Sequence, residues 1–580
     1  MENSQYLIEK GFVETASEPV DDESKSKFMA EYLDLIGKVA ELFNNREWWS
    51  SNMASKNRFT SQLALLLHQF MRAVNALKRD DFDHMIFLSP PWPIVNSLEI
   101  FIGHSSAHLV SRGNRFAQLK RLASAKSKAF GSLCFNVIKT SWRSFTVRRK
   151  LVISSISDLF ISEAPTYVIK SFVYDHSFST DSTYRDAFFG SLPEFLKKHK
   201  KVVILAVILG RFNYCIDKIK ECSTTSVIPI ECFLKQRDLL SAAWRLLNVK
   251  FRLCEKITFF GYNVTDLLNN LLLHPLNEIQ FYHYIHYEAT KNLLETVRAK
   301  TFLFTYENNP WEKMCMMAIR KFSPDTKIIG YQHTVVPQAS ANMFPGLREK
   351  AIQPMPDNIL TVGAEPKRIM ETYGNYDDDT IEAACGLRFE YLFDTKPAKR
   401  QRSGQILIAL EGIFEVYKMV NYALRELANL PDYKVKIRTH PVLPIKAFQH
   451  QLTHDLNKVT NFSISKGTSL KDDIENSDII IYWGTTVSLE ALSMGKPVIH
   501  YDNGSIFSYD PLFKCSHFKW TVSENVSLRH VIDEIYSLED SEFYARQEKA
   551  KSYLNEYFYP INEGSLAKFT GRNDKNINKG

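Results

Sequence analysis

The sequence contains a long stretch without a single acidic residue. Residues 100–157 contain no Asp or Glu. The same stretch contains eleven basic residues, namely Arg112, Arg115, Lys120, Arg121, Lys126, Lys128, Lys139, Arg143, Arg148, Arg149 and Lys150. Aromatic residues are interleaved with them, at Phe116, Phe130, Phe135, Trp142 and Phe145. A basic helical segment with aromatic side chains is typical of peripheral attachment to anionic lipid, so the pattern favours a negatively charged neighbour.

Two alternatives compete with membrane attachment of this segment. In one, it is a helical insertion whose charges are solvated and whose aromatic side chains pack inward. In the other, it is a surface for single-stranded nucleic acid. The net charge of the whole chain is only +7, which does not by itself indicate nucleic acid. Membrane attachment and inward packing therefore both remain open, and nucleic acid is not expected as a partner.

The sequence also lacks paired cysteines and long apolar runs. Its eight cysteines are scattered and include no CxxC or Cys/His ligand spacing, so neither a zinc site nor a disulfide framework is predicted. The first 27 residues do not have the basic flank and apolar core of a signal peptide. No stretch approaches the roughly 18 uninterrupted apolar residues of a membrane span. We therefore expect a cytoplasmic protein, with peripheral attachment to the inner membrane as one alternative.

Length and periodicity indicate the fold class. At 580 residues the chain is too long for a single hydrophobic core, so we expect at least two domains. From residue 167 onward, short apolar runs alternate with helical segments, which predicts α/β domains with parallel sheets. The expected segments are a flexible N-terminus at 1–27, a first domain at 28–393 with the basic helical insertion at 100–157, a linker at 394–404, a second domain at 405–565 and a disordered tail at 566–580.

Residues 478–501 carry the clearest local signal. An apolar run stops at Gly484-Thr485-Thr486, and a helical segment then leads to a second apolar run. This is the strand, turn, helix and strand from which parallel sheets are built. The amides at the helix N-terminus and the two threonine hydroxyls would suit a phosphate, because both supply hydrogen-bond donors.

Two further polar motifs follow apolar runs of the predicted second domain, so that three strands end in polar residues. The motifs are Glu411-Gly412, His440-Pro441 and Thr485-Thr486. Alone, a His-Pro pair fits an ordinary turn and a Thr-Thr pair fits a helix cap. Because the carboxyl ends of parallel strands meet at one edge of a sheet, all three together predict a crevice with an acid, an imidazole and an anion-binding turn.

The three motifs resemble the acid-Gly, His-Pro and Ser-Ser/Thr motifs of bacterial sialyltransferases and polysialyltransferases. They also resemble a broader set of capsule and surface-polysaccharide transferases, which includes Kdo transferases and the glycerophosphotransferases of teichoic-acid assembly. The resemblance extends over residues 300–500. It implies two Rossmann-like domains that face each other across a cleft, the GT-B arrangement, and a CMP- or CDP-activated donor used without a catalytic metal or another cofactor. The family motif commonly has two acids before glycine, whereas Leu410 occupies one of those places here.

The resemblance also implies roles for the two domains. The second domain would bind the nucleotide-sugar donor, and the first would bind a glycan or lipid-linked glycan acceptor. His440 would contact the phosphate or cytidine of the donor, and Arg438 would help to neutralise the phosphate. Gly412 and Pro441 belong to the same donor-binding motifs.

The remaining donor-binding residues surround the Thr-Thr turn. Thr485 and Thr486 would hydrogen-bond the phosphate, and Gly484 would let the backbone approach it closely. Glu490 has the position of the acid that binds the ribose hydroxyls in many GT-B enzymes. The alternative for Glu490 is a solvent-facing or capping residue, although Val487 at the third position before it excludes an S/T-x-x-E capping box.

Transfer from a CMP-activated sugar also needs a base for the acceptor hydroxyl and stabilisation of the departing phosphate. Glu411 is the leading candidate for the base, and His440 would help to stabilise the phosphate. Asp175 and Glu307, in the first domain, are rival bases, and His333 in the GYQHT segment is a further candidate for the cleft. Asp175 equally fits a turn residue at the end of a strand.

The leading functional hypothesis is a glycosyltransferase that moves a CMP-activated ulosonic acid, Kdo or a sialic acid, onto a bacterial surface glycan such as capsule, O-antigen or lipooligosaccharide. One alternative is transfer of phosphoglycerol from a CDP donor. Sugar-nucleotide 2-epimerases share the GT-B fold, but the segment HYDNGSIFSYD after the MGKPV strand does not match their Arg-Thr-Glu-Arg-Pro-like loop. A non-catalytic glycan-assembly protein is the remaining alternative.

Overall fold

The structure is a computed structural model of the chain, and it describes residues 21–78, 94, 115–151, 166–198, 200–393 and 397–571. Contacts between Cα atoms divide these residues into two compact units. The C-terminal unit comprises residues 21–30 and 397–551. The N-terminal unit comprises the described residues between 31 and 393 together with residues 552–571.

The strands of the described residues are short and mostly parallel. They are β1 (Thr166–Val173), β2 (Lys201–Ile208), β3 (Ser226–Pro229), β4 (Thr258–Phe259), β5 (Tyr262–Asn263), β6 (Ala299–Thr305), β7 (Lys327–Gln332), β8 (Asn358–Thr361), β9 (Ile381–Ala383), β10 (Gln405–Ala409), β11 (Lys434–Arg438), β12 (Phe462–Ile464), β13 (Ile479–Tyr482), β14 (Val498–Tyr501) and β15 (Lys519–Val522).

Helices lie between the strands, and several precede them. They are α1 (Asp22–Phe43), α2 (Arg46–Trp49), α3 (Asn52–Ser55), α4 (Leu63–Leu77), α5 (Arg115–Lys150), α6 (Leu192–Lys197), α7 (Phe212–Glu221), α8 (Gln236–Asn248), α9 (Thr265–Leu272), α10 (Pro275–Glu278), α11 (Phe281–Tyr284), α12 (His286–Leu294), α13 (Pro310–Phe322), α14 (Ala364–Tyr373), α15 (Tyr417–Leu427), α16 (Leu470–Glu475), α17 (Val487–Ser493), α18 (Leu528–Ser537), α19 (Asp540–Tyr557) and α20 (Glu563–Ala567).

The C-terminal unit contains a parallel sheet with the strand order β12-β11-β10-β13-β14-β15. Counted along the chain from β10, this is the order 3-2-1-4-5-6 of a Rossmann fold. The direction of winding reverses between β10 and β13, which are neighbours in the sheet. In such sheets ligands bind beyond the carboxyl ends of the strands at this reversal.

The N-terminal unit contains a second parallel sheet, with the order β3-β2-β1-β6-β7-β8-β9. Apart from the separate β4–β5 hairpin, its strands follow the same 3-2-1-4-5-6 order with a seventh strand added at one edge. Its winding reverses between β1 and β6. The prediction of an α/β protein with two Rossmann-like domains is therefore confirmed.

The sheets form because their strands are apolar on both faces. Ile479, Ile480 and Ile481 of β13 are fully buried, and so are the central residues of β2, Val203–Val207. Parallel strands with helices on both sides of the sheet have no solvent-facing side chains, so they are continuous apolar runs rather than alternating ones. This pattern is what the sequence shows at both positions.

The ends of the chain differ from the expected boundaries. Helix α1 begins at Asp22, inside the segment expected to be flexible, and residues 1–20 lie outside the described residues. The division between the units falls inside α19, after residue 551, whereas the second domain was expected to extend to 565. The physical reason is that the following segment pairs with the N-terminal unit, since Tyr559 N–H donates to Val362 O and Gly386 N–H donates to Tyr559 O.

The segment expected to be a disordered tail is packed over its first residues. Leu566 and Phe569 are buried, and the Tyr167 hydroxyl donates to Thr570 O in the N-terminal unit. Residues 572–580 and residues 394–396 of the expected linker lie outside the described residues. The expected basic helix is present as α5, whereas residues 100–114 and 152–157 of the same segment also lie outside. None of the described helices is long and apolar enough to span a membrane.

Candidate functional site

The three polar motifs lie at the carboxyl ends of three adjacent strands of the C-terminal sheet. Glu411-Gly412 follows β10, His440-Pro441 follows β11, and Gly484-Thr485-Thr486 follows β13. Strand β10 pairs with both β11 and β13, so the first motif lies between the other two. The winding reversal therefore coincides with Glu411 on one side and the Thr-Thr turn on the other.

Direct contacts join the three motifs. Gly484 N–H donates a hydrogen bond to Glu411 Oε1, which links the first strand end to the Thr-Thr turn. A Cβ atom on Gly412 would lie 3.0 Å from His440 Nδ1 and 2.7 Å from Val442 Cγ2, so glycine is needed for this close approach. The sequence predicted a shared sheet edge, and these residues are in contact across it.

His440 is held as a neutral imidazole with a defined tautomer. Its Nδ1 accepts a hydrogen bond of 3.3 Å from Val442 N–H, so the ring proton is assigned to Nε2. Partial burial lowers the pKa of His440 below its ordinary value. At neutral pH the side chain therefore offers an Nε2–H donor without a positive charge. Pro441, which follows it, is exposed.

The Thr-Thr turn presents several hydrogen-bond donors. The amides of Thr485 and Thr486 donate to no acceptor among the described residues, and neither does the Thr486 hydroxyl. Thr485 Oγ1 accepts from Val487 N–H at 3.4 Å, a turn contact between residues two apart, whereas the N-cap residue Thr486 makes no side-chain capping hydrogen bond. Ser488 Oγ donates to Thr485 O at 2.9 Å and fixes the turn. Two amides and a hydroxyl of the turn therefore remain available to an anion.

Tyr509 was not predicted as part of this site. A Cβ on Gly484 would lie 2.7 Å from Tyr509 Cβ and 2.8 Å from Tyr509 O. The small residue at 484 is therefore required by the loop after β14, in addition to any ligand. This loop is anchored by Asp510, which accepts a 2.6 Å hydrogen bond from the Tyr482 hydroxyl and contacts the Lys519 ammonium.

The charges around Asp510 keep it ionised although it is buried. Burial alone would raise the pKa of Asp510, but the neighbouring His500 and Lys519 side chains lower it below its ordinary value. The loop that carries Tyr509 is therefore held by a charged network. Tyr509 packs against Gly484 but lies 25 residues away along the chain, so the sequence contains no spacing signal for this contact.

Arg438, which was expected to help neutralise a donor phosphate, contacts residues after β12 and in α16. Its guanidinium contacts the carboxylate of Asp473 and donates to Thr468 O at 3.1 Å and Ser465 Oγ at 3.3 Å. Burial alone would raise the pKa of Asp473, but hydrogen bonds from Ser465, Thr468 and Arg438 lower it. The charge of Arg438 is therefore already compensated by a fully buried carboxylate. All of these contacts are made by Nη1, so a role of Arg438 at a donor phosphate would fall to its remaining N–H groups and stays a prediction.

Glu490 and Leu410 differ in what the structure says about them. Glu490 lies in the first turn of α17 and is only 9% exposed, which excludes the solvent-facing alternative. Its assignment to ribose stays a prediction.

Leu410 is buried, and its N–H donates to Arg438 O at 3.0 Å, which extends the β10 ladder by one residue. An acid at that position would be buried in the sheet.

Among the candidates of the N-terminal unit, Asp175 is engaged in a structural contact. Its Oδ1 accepts from Arg211 N–H at 2.7 Å, and its Oδ2 accepts from Arg211 Nε at 2.6 Å. These hydrogen bonds from Arg211 lower the pKa of Asp175 below its ordinary value. A carboxylate with both oxygens bonded at the start of a helix fits the turn alternative better than a general base.

Glu307 and His333 lie together at the ends of β6 and β7. The distance between His333 Nε2 and Glu307 Oε1 is 3.9 Å, and Glu307 Oε2 accepts from Asn309 Nδ2 at 3.0 Å. Burial lowers the pKa of His333 to about 4, so the imidazole is neutral at pH 7 and the pair is not an ion pair there. No described residue hydrogen-bonds to the buried His333 Nδ1. A neutral, unprotonated imidazole beside a carboxylate is able to accept a proton.

Three neighbours of His333 carry no role in the sequence-based prediction. Phe188 packs its ring against the imidazole, with centroids 5.0 Å apart. Arg388 places its guanidinium 5.6 Å from the Phe188 ring, and Tyr174 stacks on His176. Arg388 is exposed and its charge acts on both Tyr174 and His333. In the sequence Arg388 follows shortly after Gly386, but this arrangement is too common to predict a functional role.

Among the described residues, no group of three or more His, Cys, Asp or Glu side chains is arranged to hold a metal ion. The C-terminal site has several hydrogen-bond donors of its own. These are backbone amides, threonine hydroxyls and one imidazole N–H, all of which are neutral.

Comparisons with known proteins assign no family. No protein-family model matches the sequence, and no curated protein matches it. Among solved structures, a UDP-GlcNAc 2-epimerase from Neisseria meningitidis bound to UDP-GlcNAc is similar with a TM-score of 0.39 and 14% identity, covering 70% of this chain and 98% of that one. A glycosyltransferase from Rickettsia africae gives a TM-score of 0.40 and 12% identity, with 71% and 98% covered. The calicheamicin glycosyltransferase CalG4 gives 0.39 and 10%, with 70% and 99% covered. At these values the similarities identify neither a family nor an activity for this chain.

Proposed function

We propose that the protein is a glycosyltransferase that moves a CMP-activated ulosonic acid, Kdo or a sialic acid, onto a bacterial surface glycan. One observation supports this most strongly, namely the contact of all three motifs at the winding reversal of the C-terminal sheet. Glu411 bonds to Gly484, and Gly412 packs on His440. These contacts support a shared site for the acid, the imidazole and the proposed anion-binding turn.

In this proposal the C-terminal crevice holds the donor phosphate. The amides of Thr485 and Thr486 and the Thr486 hydroxyl would donate to phosphate oxygens, together with His440 Nε2–H. Neutral donors that are already oriented stabilise the charge that develops on a departing phosphate without further reorganisation. Such a set would assist CMP as it leaves, and the resemblance of the motifs leads us to expect transfer without a catalytic metal.

The reaction also requires a proton acceptor. The acceptor hydroxyl oxygen bonds to the anomeric carbon, the bond from that carbon to the phosphate oxygen breaks, and the hydroxyl proton passes to a base. Glu411 is the proposed base, because its carboxylate lies at the edge of the donor crevice and is held in place by Gly484 N–H. His333, with Glu307 beside it, is the alternative, because its imidazole is neutral at pH 7, although a pKa of about 4 makes it a weaker base than an ordinary histidine. The acceptor would be a glycan or a lipid-linked glycan.

Nucleotide release from several donors distinguishes the competing activities. The full chain would be incubated with CMP-sialic acid, CMP-Kdo, CDP-glycerol and UDP-GlcNAc, with and without a chelator and with a bacterial surface-glycan preparation as acceptor. The proposal predicts CMP release from one of the CMP-sugars, unchanged by the chelator. Release of CMP from CDP-glycerol would instead identify phosphoglycerol transfer. Epimerisation of UDP-GlcNAc, or no turnover of any donor, would contradict the proposal.

The role of Glu411 is tested in the same assay with Glu411→Gln. The amide oxygen of glutamine can still accept from Gly484 N–H, so the donor crevice is kept while the base is removed. We expect kcat to fall by roughly 10²–10⁴-fold with little change in the donor KM, the range for loss of a general base. Asp175→Asn is the matched control in the N-terminal unit and should retain most activity. Full activity of Glu411→Gln with loss in His333→Gln would transfer the role to His333.

A further inference from the structure

Helix α5 carries apolar residues on two opposite faces. On the inner face, Leu133, Thr140, Ser144 and Val147 are buried. On the outer face, Phe135, Ile138, Trp142 and Phe145 are between 51 and 68% exposed. Isolated exposed apolar residues are common on protein surfaces, but a continuous row of four large ones is not.

Helical geometry places the two rows on opposite sides. At 100° per residue, the spacing of 3, 4 and 3 residues keeps the outer row within an arc of about 80° and spreads it over about 15 Å of the helix. The buried row is centred about 180° away by the same count. Helices α7, α8, α10 and α11 pack against α5 within the N-terminal unit. They cover the inner row, and the outer row is left to the solvent side.

Helix α8 repeats this arrangement beside α5. Leu239, Ala242 and Leu246 are buried, which attaches the helix to its unit. Leu240, Trp244 and Leu247 follow one another at helical spacing and are between 44 and 69% exposed. Two helices in contact with each other therefore each expose an apolar row that includes a tryptophan. We call these seven residues the outer apolar surface.

The charges around the outer apolar surface are almost all positive. The described part of α5 has no acidic side chain, and Lys128, Lys139 and Arg149 are exposed and form no ion pair with described residues. Lys139 Nζ lies 5.9 Å from the Phe135 ring centre. Part of the positive charge of the helix thus lies next to its exposed aromatic residues.

The other cations of α5 are used to attach the helix. Arg143 contacts the buried Glu231 at 3.6 Å, Lys150 contacts Asp217 at 2.8 Å, and Arg148 donates to Leu234 O at 2.8 Å. The basic residues therefore divide into an inner set with partners and an outer set without them. Only the outer set is available to an external anionic surface.

We propose that the outer apolar surface of α5 and α8 docks on an anionic lipid bilayer. Trp and Phe side chains are favoured at the level of the lipid headgroups, aliphatic side chains enter the acyl region, and flanking Lys and Arg side chains bind anionic headgroups. A second copy of the chain fits less well, because it would bring two positive rims together. Nucleic acid fits less well too, because Ile138, Leu240 and Leu247 cannot stack on bases. This inference does not depend on the proposed transferase activity.

Vesicle sedimentation of the full chain tests the proposal. Vesicles of phosphatidylcholine alone would be compared with vesicles containing roughly 30% phosphatidylglycerol, at low salt and at roughly 0.5 M salt. We expect binding to the anionic vesicles, at least tenfold weaker binding to neutral ones, and partial loss at high salt. A partial rather than complete loss is expected because the apolar contribution is not screened. Equal binding to both lipids, or none to the anionic one, would overturn the proposal.

Two sets of variants locate the surface. Phe135→Ser with Ile138→Ser and Trp142→Ser should reduce binding at least tenfold, whereas Phe59→Ser with Leu347→Ser and Val442→Ser should not, although the latter side chains are at least as exposed. Lys128→Glu with Lys139→Glu and Arg149→Glu should weaken binding at low salt, and Lys300→Glu with Lys466→Glu and Lys549→Glu is the control. Far-ultraviolet circular dichroism and the thermal midpoint verify folding. Loss of self-association in the first variant, with lipid binding unchanged, would assign the surface to a second copy and contradict the proposal.

Discussion

The two sheets of this chain share one strand order but use their carboxyl edges differently. In the C-terminal unit, two amides and a hydroxyl at Thr485 and Thr486 donate to no described acceptor. In the N-terminal unit, the corresponding carboxylates are already bonded, since Asp175 binds Arg211 and Glu312 accepts from the amides of Glu307 and Asn309. The two sheets therefore share a topology, and they differ in which polar groups at their carboxyl edges are already paired with described residues.

More charged side chains are buried in the N-terminal unit than in the C-terminal unit. Lys56 and Glu349 form an ion pair with no exposed side-chain surface, and Lys313 donates to Ala54 O at 2.8 Å beside them. Burial lowers the pKa of Lys313 to about 7. Lys170 is buried against the Trp311 ring, and burial lowers its pKa to about 7 as well. These groups are committed to the packing of the unit.

The largest expected effect on stability follows from breaking the Lys56–Glu349 pair. In Glu349→Gln the Lys56 ammonium would stay buried without its counter-charge, which costs roughly 3–5 kcal/mol. The N-terminal unit should therefore unfold at lower temperature in calorimetry, while cytidine-nucleotide affinity at temperatures below that transition should stay within a few-fold of the unchanged chain. Both results would sharpen the distinction between a structural and a ligand-binding edge.

Glu371→Gln is the matched control, because Glu371 pairs with Lys367 at the surface of the same unit. Exposed pairs one helical turn apart contribute only about 0.3–0.5 kcal/mol. A stability loss in Glu349→Gln no larger than in this control would show that the buried pair is not a major determinant of the unit.

A smaller effect is expected from acidification. The pKa of His333 is lowered to about 4 in the folded chain, whereas an unfolded histidine titrates near 6.5. The unfolded state therefore binds the proton more tightly than the folded state does. The contribution of neutral His333 to the free energy of unfolding is complete above pH 6.5 and is lost as the pH falls from there toward 4. Glu278 opposes this trend, because burial raises its pKa to about 7 and its contribution grows as the pH falls.

The contribution of His333 is isolated by a double difference. The free energy of unfolding of the N-terminal unit would be measured by hydrogen exchange at pH 7 and at pH 5, in the unchanged chain and in His333→Gln. The decrease from pH 7 to pH 5 should be smaller by about 1–2 kcal/mol in the variant. His440→Gln should leave this difference unchanged, because His440 belongs to the C-terminal unit. An identical pH dependence with and without His333 would contradict its assignment as a buried neutral imidazole.

Much of this architecture was predictable because apolar runs in parallel sheets are continuous. The run at Ile479–Ile481 predicts β13. Because parallel strands end at one edge of a sheet, the sequence also predicts that Glu411, His440 and the Thr-Thr turn lie together. Side-chain pairs between residues far apart in the sequence were not predicted. Arg438 meets Asp473 rather than the turn, although nothing in the 34 residues between them marks that contact.

Irregular backbone also limits what the sequence predicts. After Pro444 the chain forms a series of short 3₁₀ turns, which include Ile445–Ala447 and Gln449–Gln451 and have no periodic pattern. The return of residues 552–571 to the N-terminal unit was also missed, because α19 runs through the division without a change in composition. Tyr509 was missed because loop paths have no periodicity to read.

The most direct measurement of the central claim is a thermal-shift titration of the full chain with CMP, CDP, UMP, UDP and GDP. Preferential binding of cytidine nucleotides at the C-terminal crevice predicts the largest rise in the transition temperature with CMP or CDP. Thr485→Ala with Thr486→Ala should abolish most of that rise, and Thr460→Ala, an exposed threonine of the same unit, should not. A larger rise with UDP or GDP, or a CMP-induced rise that persists in the double variant, would contradict the account.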